Sequence, residues 1–430
     1  MKGIFRGIVQ SIIGLEARLV LRKYKPKIVA VAGSVGKTST KDAVFEVLST
    51  KYFVRKSEKS YNGEIGIPLT ILGCPNAWTS PLLWLKNIFE GLLLLVERAK
   101  YPEWLVLEVG VDRPGDMKKM ASWLHPDIIV YTRLPAIPVH VEYFASPDDL
   151  IEEKLSLIAG LKDGGMLVLN DDDEKIQPLK HKFTAVNITT YGMSKETDVY
   201  ASHYQVSYKN HKPIGVRFHA HSGENEETVE AYGVAGKQHM YPALAALAVG
   251  IQHGVPLKDG AEALARIAPA PGRMRILDGI KDTVLIDDTY NSSPVAVEEA
   301  LNLMELAKSQ GKKIIVLGDM LELGQFSIDE HKRIGEMAGK IADLLVTVGP
   351  RARHFAEGAL IAGLSEKNIL QYDDSRRAGK ELESKMEEGD MVLLKGSQGV
   401  RMERTVREIM AHPEKRHELI VRQDPEWEKR

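Results

Sequence analysis

A chain of 430 residues is long enough for two or three domains, and a net charge of −2 gives it no overall attraction for nucleic acid. Hydrophobic residues make up 44% and charged residues 27% of the sequence, which is the ordinary balance of a soluble globular protein. The single cysteine, Cys74, excludes a disulfide framework and a cysteine-based zinc site, so we expect the protein in the cytoplasm.

The first predicted element is a basic amphipathic helix over residues 1–26. Residues 2–27 contain seven Lys or Arg residues and one Glu. The apolar residues that recur at helical spacing are Ile4, Ile8, Ile12, Leu15 and Leu19. Charged residues interrupt this run, so the helix does not span a membrane. It either packs on its own domain or lies on an anionic membrane surface.

A glycine-rich turn with the spacing Gly-x-x-Gly-Lys-Thr follows the β-branched run of residues 27–31 and opens a helical pattern. In this context, backbone N–H groups and a helix N-terminus can surround phosphate groups. Lys37 is expected to reach the terminal phosphates and the Thr38 hydroxyl to bind Mg²⁺. The alternative is a plain glycine turn with an exposed lysine. The predicted ATP-binding residues of this turn are Gly33, Ser34, Gly36, Lys37, Thr38 and Ser39.

A leucine-rich helix is predicted at residues 81–100, and its apolar face is wide for a surface helix. The basic helix at the N-terminus is a second such segment. Together they make binding to the inner face of the membrane an alternative as strong as packing within the protein. A cytoplasmic protein that binds the membrane peripherally is therefore one expectation.

Strand-like and helical runs alternate along the rest of the chain, which predicts two α/β domains at residues 27–268 and 272–412. The first, central domain is expected to hold a mostly parallel sheet whose edge is an antiparallel meander at residues 198–234. The second is a smaller Rossmann-like domain that follows a linker at residues 268–272. The charged residues 413–430 are expected to fray.

These motifs together resemble those of the Mur ligases, and most closely the MurF branch, which adds D-alanyl-D-alanine to a UDP-muramoyl tripeptide. The resemblance covers residues 27–410, and its most branch-specific part is Leu-Gly-Asp-Met-Leu-Glu-Leu-Gly at residues 317–324. The other matching segments are 33–40, 61–70, 108–110, 140–142, 170–172, 287–294 and 395–397. The resemblance implies an ATP-dependent ligase that forms an amide bond in cell-wall stem-peptide synthesis.

The implied chemistry needs concentrated positive charge. A carboxylate does not react with an amine at neutral pH, because its leaving group would be oxide. Transfer of the γ-phosphoryl group of ATP yields an acyl phosphate, which the amine attacks with phosphate as the leaving group. Because two anions must first meet, Lys37 and a Mg²⁺ ion at Thr38 are expected to neutralise the β- and γ-phosphates.

The resemblance assigns a second Mg²⁺ ion to Glu108 and His140, between the γ-phosphate and the substrate carboxylate. It also implies that Lys154 carries a carbamate, which turns a cation into an anion able to bind metal. With Lys37, these three are the expected catalytic residues. Two alternatives stay open. Glu108, at the end of a buried strand, can form an ion pair or a cap. Lys154 can be solvated on a helix, since Ser156 stands where the family has a glutamate.

The resemblance also implies nucleotide and substrate contacts. Arg273 is expected at the γ-phosphate and Asp288 at the ribose. The other nucleotide-binding candidates are Asn170, Tyr290 and Asn291, and the substrate candidates are Asn62, Thr70, Lys395 and Ser397. As alternatives, Asn62 forms a turn and Asp288 caps the helix that begins near Pro294.

Two departures from the family pattern affect these expectations. The adenine motif Gly-x-His-Asn-x-x-Asn is replaced by Gly236-Lys-Gln238-His239-Met-Tyr-Pro242, so adenine recognition must differ. Only about 30 residues precede the P-loop, so we expect the uridine-binding domain of the family to be absent. The acceptor is then a muramoyl peptide that is UDP-linked, lipid-linked or neither. The amine is an amino acid or dipeptide, and the enzyme is expected to be a monomer.

Two other functions stay open. A folylpolyglutamate-synthase-like ligase also lacks the uridine-binding domain, but residues 317–324 argue against it. A non-catalytic nucleotide-binding regulatory or scaffold protein is disfavoured because the catalytic candidates are all retained, while the altered adenine motif keeps it open.

Overall fold

The computed structural model of the protein describes residues 2–58, 61–78, 80–424 and 427. Within them, a sheet of nine strands forms an N-terminal half. Its strands are β1 Lys27–Ala32, β2 Val54–Lys56, β3 Trp104–Glu108, β4 Ile128–Tyr131, β5 Met166–Asn170, β6 Asn187–Gly192, β7 Val199–Lys209, β8 Lys212–Ser222 and β9 Asn225–Tyr232. Their order is β2-β3-β1-β4-β5-β6-β7-β8-β9. The pairs up to β6–β7 are parallel, and β7, β8 and β9 form the antiparallel meander predicted at the edge.

Helices cover both faces of this sheet. They are α1 Lys2–Tyr24, α2 Lys37–Ser49, α3 Gly66–Leu72, α4 Pro81–Val96, α5 Asp116–Ala121, α6 Pro147–Leu155, α7 Leu179–Lys182, α8 Met240–Gln252 and α9 Leu257–Leu264. Alternate residues of β1 enter two separate cores. Ile28 and Ala30 pack on the side of α1, α3 and α4, and Val29 and Val31 pack on the side of α2 and α8. Burial on both faces explains why β1 is a continuous apolar run.

A sheet of six strands forms the C-terminal half. Its strands are β10 Arg275–Asp278, β11 Val284–Asp288, β12 Lys313–Gly318, β13 Leu344–Val348, β14 Ile369–Tyr372 and β15 Met391–Lys395, in the order β10-β11-β15-β12-β13-β14. Only β10 is antiparallel to its neighbour. The helices are α10 Pro294–Leu306, α11 Ser327–Ile341, α12 Arg353–Ile361, α13 Ser375–Glu383, α14 Glu403–Ile409 and α15 Arg416–Leu419. The two sheets confirm the predicted fold class.

Main-chain hydrogen bonds join the two halves where the linker ends. The N–H of Ala235 donates to the carbonyl oxygen of Met274 at 3.0 Å. The N–H of Ile276 donates to the carbonyl oxygen of Gly233 at 2.9 Å. This short antiparallel ladder fixes the backbone next to Arg273, which precedes Met274 in the chain.

The segment after α14 does not fray as expected, within its described part. Ile420 and Val421 are buried against the C-terminal half. The guanidinium of Arg422 lies 3.1 Å from the buried carboxylate of Glu403 and donates to the carbonyl oxygen of Thr289, also at 3.1 Å. The charged composition of the segment concealed this, because a few apolar residues and one buried ion pair are enough to hold it.

Helix α1 buries a different face from the one that its periodicity indicated. The residues it contributes to the core are Val9, Ile13, Ala17 and Val20. Four of the residues in the predicted face are instead exposed: Ile8, Ile12, Leu15 and Leu19. Both faces are apolar, so the pattern alone could not identify the buried one. Among the described residues, no helix has both the length and the apolar character needed to cross a membrane.

Candidate functional site

The glycine-rich turn connects β1 to α2 at the carboxyl edge of the nine-stranded sheet. Gly33 has a φ of +134°, and a Cβ atom there would lie 2.1 Å from Oγ1 of Thr132, so only glycine fits. Gly36 adopts the left-handed conformation directly before α2. The first N–H groups of α2 have no acceptor within the helix and are suited to bind an anion. Lys37 starts this helix, and burial lowers the pKa of its ammonium group.

Thr38 and Glu108 share a buried hydrogen bond beside this turn. Oγ1 of Thr38 donates to Oε2 of Glu108 at 2.8 Å, and Nδ2 of Asn62 donates to Oε1 at 3.3 Å. The sheet register pairs Val31 with Glu108, which explains why the end of β3 lies next to the P-loop. A carboxylate and a hydroxyl oxygen at this separation are the kind of donors that Mg²⁺ prefers.

Arg273 reaches this site from the C-terminal half. Its Nη2 donates to Oγ1 of Thr38 at 2.9 Å, and its guanidinium carbon lies 4.1 Å from the ring centroid of Tyr290. The Thr38 hydroxyl therefore accepts from Arg273 and donates to Glu108. This chain of contacts crosses from one half of the molecule to the other.

Lys154 is buried on α6 behind the P-loop. Its Nζ donates to Oγ of Ser34 at 2.7 Å and lies 3.5 Å from the carbonyl oxygen of Gly33. Burial, together with the nearby charge of Lys37, holds the pKa of Lys154 well below its usual value. Lys154 thus does not lie on a solvated helix face, and its neutral amine form is favoured.

His140 is engaged by acidic side chains from both halves. Its Nδ1 lies 2.5 Å from Oε2 of Glu322, which belongs to the C-terminal half, and its Nε2 lies 3.5 Å from Oδ1 of Asp112. Among the described residues, no hydrogen bond or ion pair joins His140 to Glu108. The residues that the structure describes also contain no group of three or more His, Cys, Asp or Glu side chains that could hold a metal ion.

Two candidates from the C-terminal half, expected at the ribose and at the amino component, pair with each other. Nζ of the buried Lys395 donates to Oδ2 of Asp288 at 2.5 Å and to the carbonyl oxygen of Asn291 at 3.0 Å. The other oxygen of Asp288 accepts the N–H of Met274 at 3.1 Å. These contacts fix Asp288 close to Arg273 and away from the N-cap position that was its alternative, since Ser293 precedes α10.

Three further candidates bind main-chain groups. Oγ of Ser397 accepts the N–H of Leu321 at 2.9 Å. Oγ1 of the buried Thr70 donates to the carbonyl oxygen of Gly66 in its own helix, at 2.9 Å. Asn170, at the end of β5, accepts a backbone N–H from two residues further on at 3.1 Å. The roles expected for these side chains in binding substrate or nucleotide stay predictions.

The altered adenine motif lies at the start of α8. His239 is half-buried, its shielded Nε2 has no hydrogen-bond partner among the described residues, and desolvation lowers its pKa to about 4. Nε2 of Gln238 donates to the carbonyl oxygen of Ala235 at 3.3 Å. An uncharged imidazole with a free nitrogen therefore stands where the family pattern has an asparagine.

Sequence reasoning missed two contacts between the halves. Glu322 belongs to the segment at residues 317–324 that carries the resemblance, so a signal for it was present. The ion pair between Arg133, which follows β4, and Glu299 of α10 had no such signal. Both contacts join residues that are far apart in the chain.

Comparison with protein families matches two parts of this chain. Residues 86–250 match the Mur ligase middle domain, and residues 272–398 match the glutamate ligase domain of Mur ligases. The P-loop precedes the first of these matches.

Individual relatives agree with these matches. The chain is 29% identical over 399 residues to the UDP-N-acetylmuramoyl-tripeptide–D-alanyl-D-alanine ligase of Bacillus subtilis, with 92% of this chain and 79% of that protein covered. The crystal structure of the MurF ligase from Thermotoga maritima in complex with ADP has 26% identity and a TM-score of 0.75, covering 95% and 84%. The folylpolyglutamate synthase of Mycobacterium tuberculosis, complexed with ADP, shares only the fold, at 13% identity and a TM-score of 0.62, covering 93% and 94%.

Proposed function

This chain belongs to the Mur ligase family, and we propose that it is an ATP-dependent ligase that joins a carboxylate to an amine through an acyl phosphate. The observation that carries the proposal is the contact chain from Arg273 through Thr38 to Glu108. It collects a guanidinium, a hydroxyl and a buried carboxylate at a helix N-terminus. Phosphoryl transfer depends on such preorganised charge far more than on covalent help from the protein.

Each group in this arrangement has a proposed task. Lys37 and the N-terminus of α2 bind the β- and γ-phosphates, and Arg273 neutralises charge that develops on the γ-phosphoryl group. The substrate carboxylate attacks the γ-phosphorus, and the bond to the β–γ bridging oxygen breaks. The amine nitrogen then attacks the acyl carbon, phosphate leaves, and the nitrogen loses a proton.

Thr38 and Glu108 are the proposed Mg²⁺ ligands. Their oxygens are 2.8 Å apart and are hard donors, so they fit this ion. A bound Mg²⁺ ion would supply positive charge for the phosphates. A second ion at Glu108 and His140 requires His140 to leave Glu322, which it contacts in this structure. The Glu322→Gln variant removes the competing carboxylate charge. If His140 must leave Glu322, this variant should bind Mn²⁺ more tightly than the wild type.

Carbamylation of Lys154 is part of the same proposal. Its burial beside Ser34 and the lowered pKa favour the neutral amine, which is the form that reacts with CO₂. A bond forms between Nζ and the carbon of CO₂, and the nitrogen releases one proton. The product is an anion in place of the neutral amine, next to the P-loop.

The proposed substrates follow the relatives. The B. subtilis protein is named for joining D-alanyl-D-alanine to a UDP-muramoyl tripeptide. We assign a muramoyl-type peptide as the carboxylate component and D-alanyl-D-alanine as the amine. Asn62 would contact the first component, and Lys395 and Ser397 the second. The proposed working unit is a monomer with ligase domains at residues 27–268 and 272–412.

A phosphate-release assay tests this function. It pairs UDP-linked and lipid-linked muramoyl tripeptides with D-alanyl-D-alanine, and it includes a folate with glutamate as a competing pair. Phosphate release that requires both muramoyl peptide and dipeptide, with a product of the summed mass less water, is the expected result. The Lys37→Ala variant should release none while keeping its circular dichroism spectrum. Turnover with the folate pair alone would assign a folylpolyglutamate-synthase-like ligase. ATP binding without turnover of any pair would assign a scaffold.

A further inference from the structure

Two helices of the N-terminal half direct apolar side chains into solvent. Their exposed apolar residues are Ile8, Ile12, Leu15 and Leu19 on α1, and Leu82, Leu83, Leu85, Phe89, Leu92, Leu93 and Val96 on α4. We call this set the α1–α4 face. The opposite side of each helix already packs in the core, through residues such as Ile13 and Trp84. The exposed side chains are therefore not used by the packing of the protein itself.

The two apolar rows adjoin because the helices lie side by side. Glu16 of α1 packs against Gly91 of α4, where an added Cβ would lie 2.3 Å from its Oε2. Further along, Nζ of Lys23 donates to the carbonyl oxygen of Leu94 at 2.8 Å. Leu19 is four residues before Lys23, so it lies on the edge of α1 that borders α4. The helices run in the same direction, and their C-terminal ends meet.

That shared end of the α1–α4 face is basic. Over residues 22–25 and 97–100, five exposed basic residues stand against one acidic residue, Glu97. They are Arg22, Lys23, Lys25, Arg98 and Lys100. The whole chain carries a net charge of −2, so this is a local accumulation of positive charge.

We propose that the α1–α4 face docks the protein on an anionic membrane surface. The helices would lie in the plane of the membrane, with the apolar side chains at the boundary of the acyl chains and the basic end among anionic headgroups. An apolar face next to a cluster of cations matches this occupant. A second copy of the chain that packs through the same face would cover the apolar side chains. It would not supply acidic residues to the basic end, because its own face carries the same basic residues.

Docking in this way holds the half of the molecule that contains the P-loop at the bilayer, with α1 between the bilayer and the segment that carries Asn62. Nε2 of Gln10 on α1 donates to Oε2 of Glu64 at 2.5 Å, and Glu64 is two residues from Asn62, which contacts Glu108. A lipid-linked muramoyl peptide is thereby favoured over a UDP-linked one. This preference rests on the proposed function, whereas the docking itself does not.

Co-sedimentation with vesicles tests the docking. The full-length chain should bind vesicles that contain phosphatidylglycerol at low salt. Binding should fall at least about tenfold at high salt or with vesicles of phosphatidylcholine alone, because screening or removal of the anionic charge weakens the attraction. The double variant Leu82→Glu/Phe89→Glu should lose at least about tenfold in binding.

A matched control uses Leu306 and Ile361 of the C-terminal half. They are 68% and 70% exposed, against 78% and 61% for Leu82 and Phe89. The Leu306→Glu/Ile361→Glu variant adds the same charge and should bind vesicles like the wild type. Thermal unfolding of both variants checks that they are folded.

Two results would overturn the docking. One is a wild-type protein that stays in solution with anionic vesicles at low salt. The other is a wild-type protein that forms a dimer in sedimentation velocity and does not bind vesicles, while the Leu82→Glu/Phe89→Glu variant is a monomer. Phosphate release measured without vesicles on the UDP-linked substrate reports the proposed ligase separately, so failure of one does not hide failure of the other.

Discussion

Arg273 and Thr38 lie 235 residues apart in the chain and meet through a hydrogen bond of 2.9 Å. Because the same hydroxyl donates to Glu108, the C-terminal half adds its positive charge directly to the P-loop site. The stacking of Arg273 on Tyr290 restrains the guanidinium in this position. A lysine could not reproduce this planar contact.

Replacing Arg273 should therefore slow catalysis without unfolding the protein. We expect Arg273→Ala to lower kcat about 10²- to 10³-fold, which is the effect of removing one preorganised charge-stabilising group. Arg273→Lys should recover only part of this loss. Steady-state phosphate release measures both. Arg266, exposed shortly before the linker, provides the control Arg266→Ala. Equal activity of the two alanine variants would rule out a role for Arg273 at the γ-phosphate.

Lys154→Ala tests the proposed carbamate. Activity should fall about 100-fold or more, since a ligand position beside the P-loop is emptied. Acetate should restore part of it, because a small carboxylate can enter the vacated space, whereas chloride at the same ionic strength should not. The measurement is kcat/KM with each salt. A plain ammonium at Lys154 in a high-resolution structure with Mg²⁺ and ATP would contradict the assignment.

Glu16 predicts a pH dependence of stability. It is buried between α1 and α4 without a hydrogen-bond partner among the described residues, and burial raises its pKa from 4.5 to about 7. The folded state therefore binds this proton more tightly than the unfolded state does. Its contribution to stability is complete below about pH 4.5 and is lost as the pH rises to about 7.

The Glu16→Gln variant should remove this fall. Above pH 7 it should be more stable than the wild type by about 3 kcal/mol, which corresponds to the size of the shift. Urea unfolding across the pH range measures the difference. The exposed Glu262 provides the control Glu262→Gln, which should keep the wild-type pH profile. Parallel profiles for wild type and Glu16→Gln would show that Glu16 is solvated.

Arg422→Ala should destabilise the C-terminal half. Removing Arg422 takes away one of the two guanidinium groups that pair with the buried Glu403, and Arg401 stays on its other oxygen, so we expect a cost of about 1–3 kcal/mol. Chemical denaturation measures this. The exposed Arg407 on α14 offers Arg407→Ala as a comparison, which should stay close to wild type. A loss below about 1 kcal/mol for Arg422→Ala would mean that the segment is held by Ile420 and Val421 alone.

The features that could be predicted from the sequence are those that depend on neighbouring residues. Strands such as β1 and β15 are short runs buried on both faces, so their apolar composition identifies them. The turn at Gly33 and Gly36 is likewise local, because backbone conformation and close approach require glycine there. The antiparallel edge was visible in the change to alternating apolar and polar residues.

Contacts between distant residues left no local pattern. The resemblance includes the segments that carry His140 and Glu322, but no local pattern pairs these two residues, and the resemblance directed His140 to a metal ion instead. The buried face of α1 could not be identified for another reason, since both of its faces are apolar. The burial of Lys154 against Ser34 depends on how α6 packs behind the P-loop, which helical periodicity does not encode.

The ladder between Gly233 and Ile276 joins the two halves along one edge, and this edge is the natural axis for a rotation of one half relative to the other. A rotation that separates the two halves about this hydrogen-bonded backbone would displace residues more with increasing distance from it. Arg273 adjoins the ladder and travels least. Glu322 follows β12, three strands from β10, which is about 14 Å away across the sheet. Such a rotation would therefore separate Glu322 from His140 first, while Arg273 would stay within reach of the P-loop.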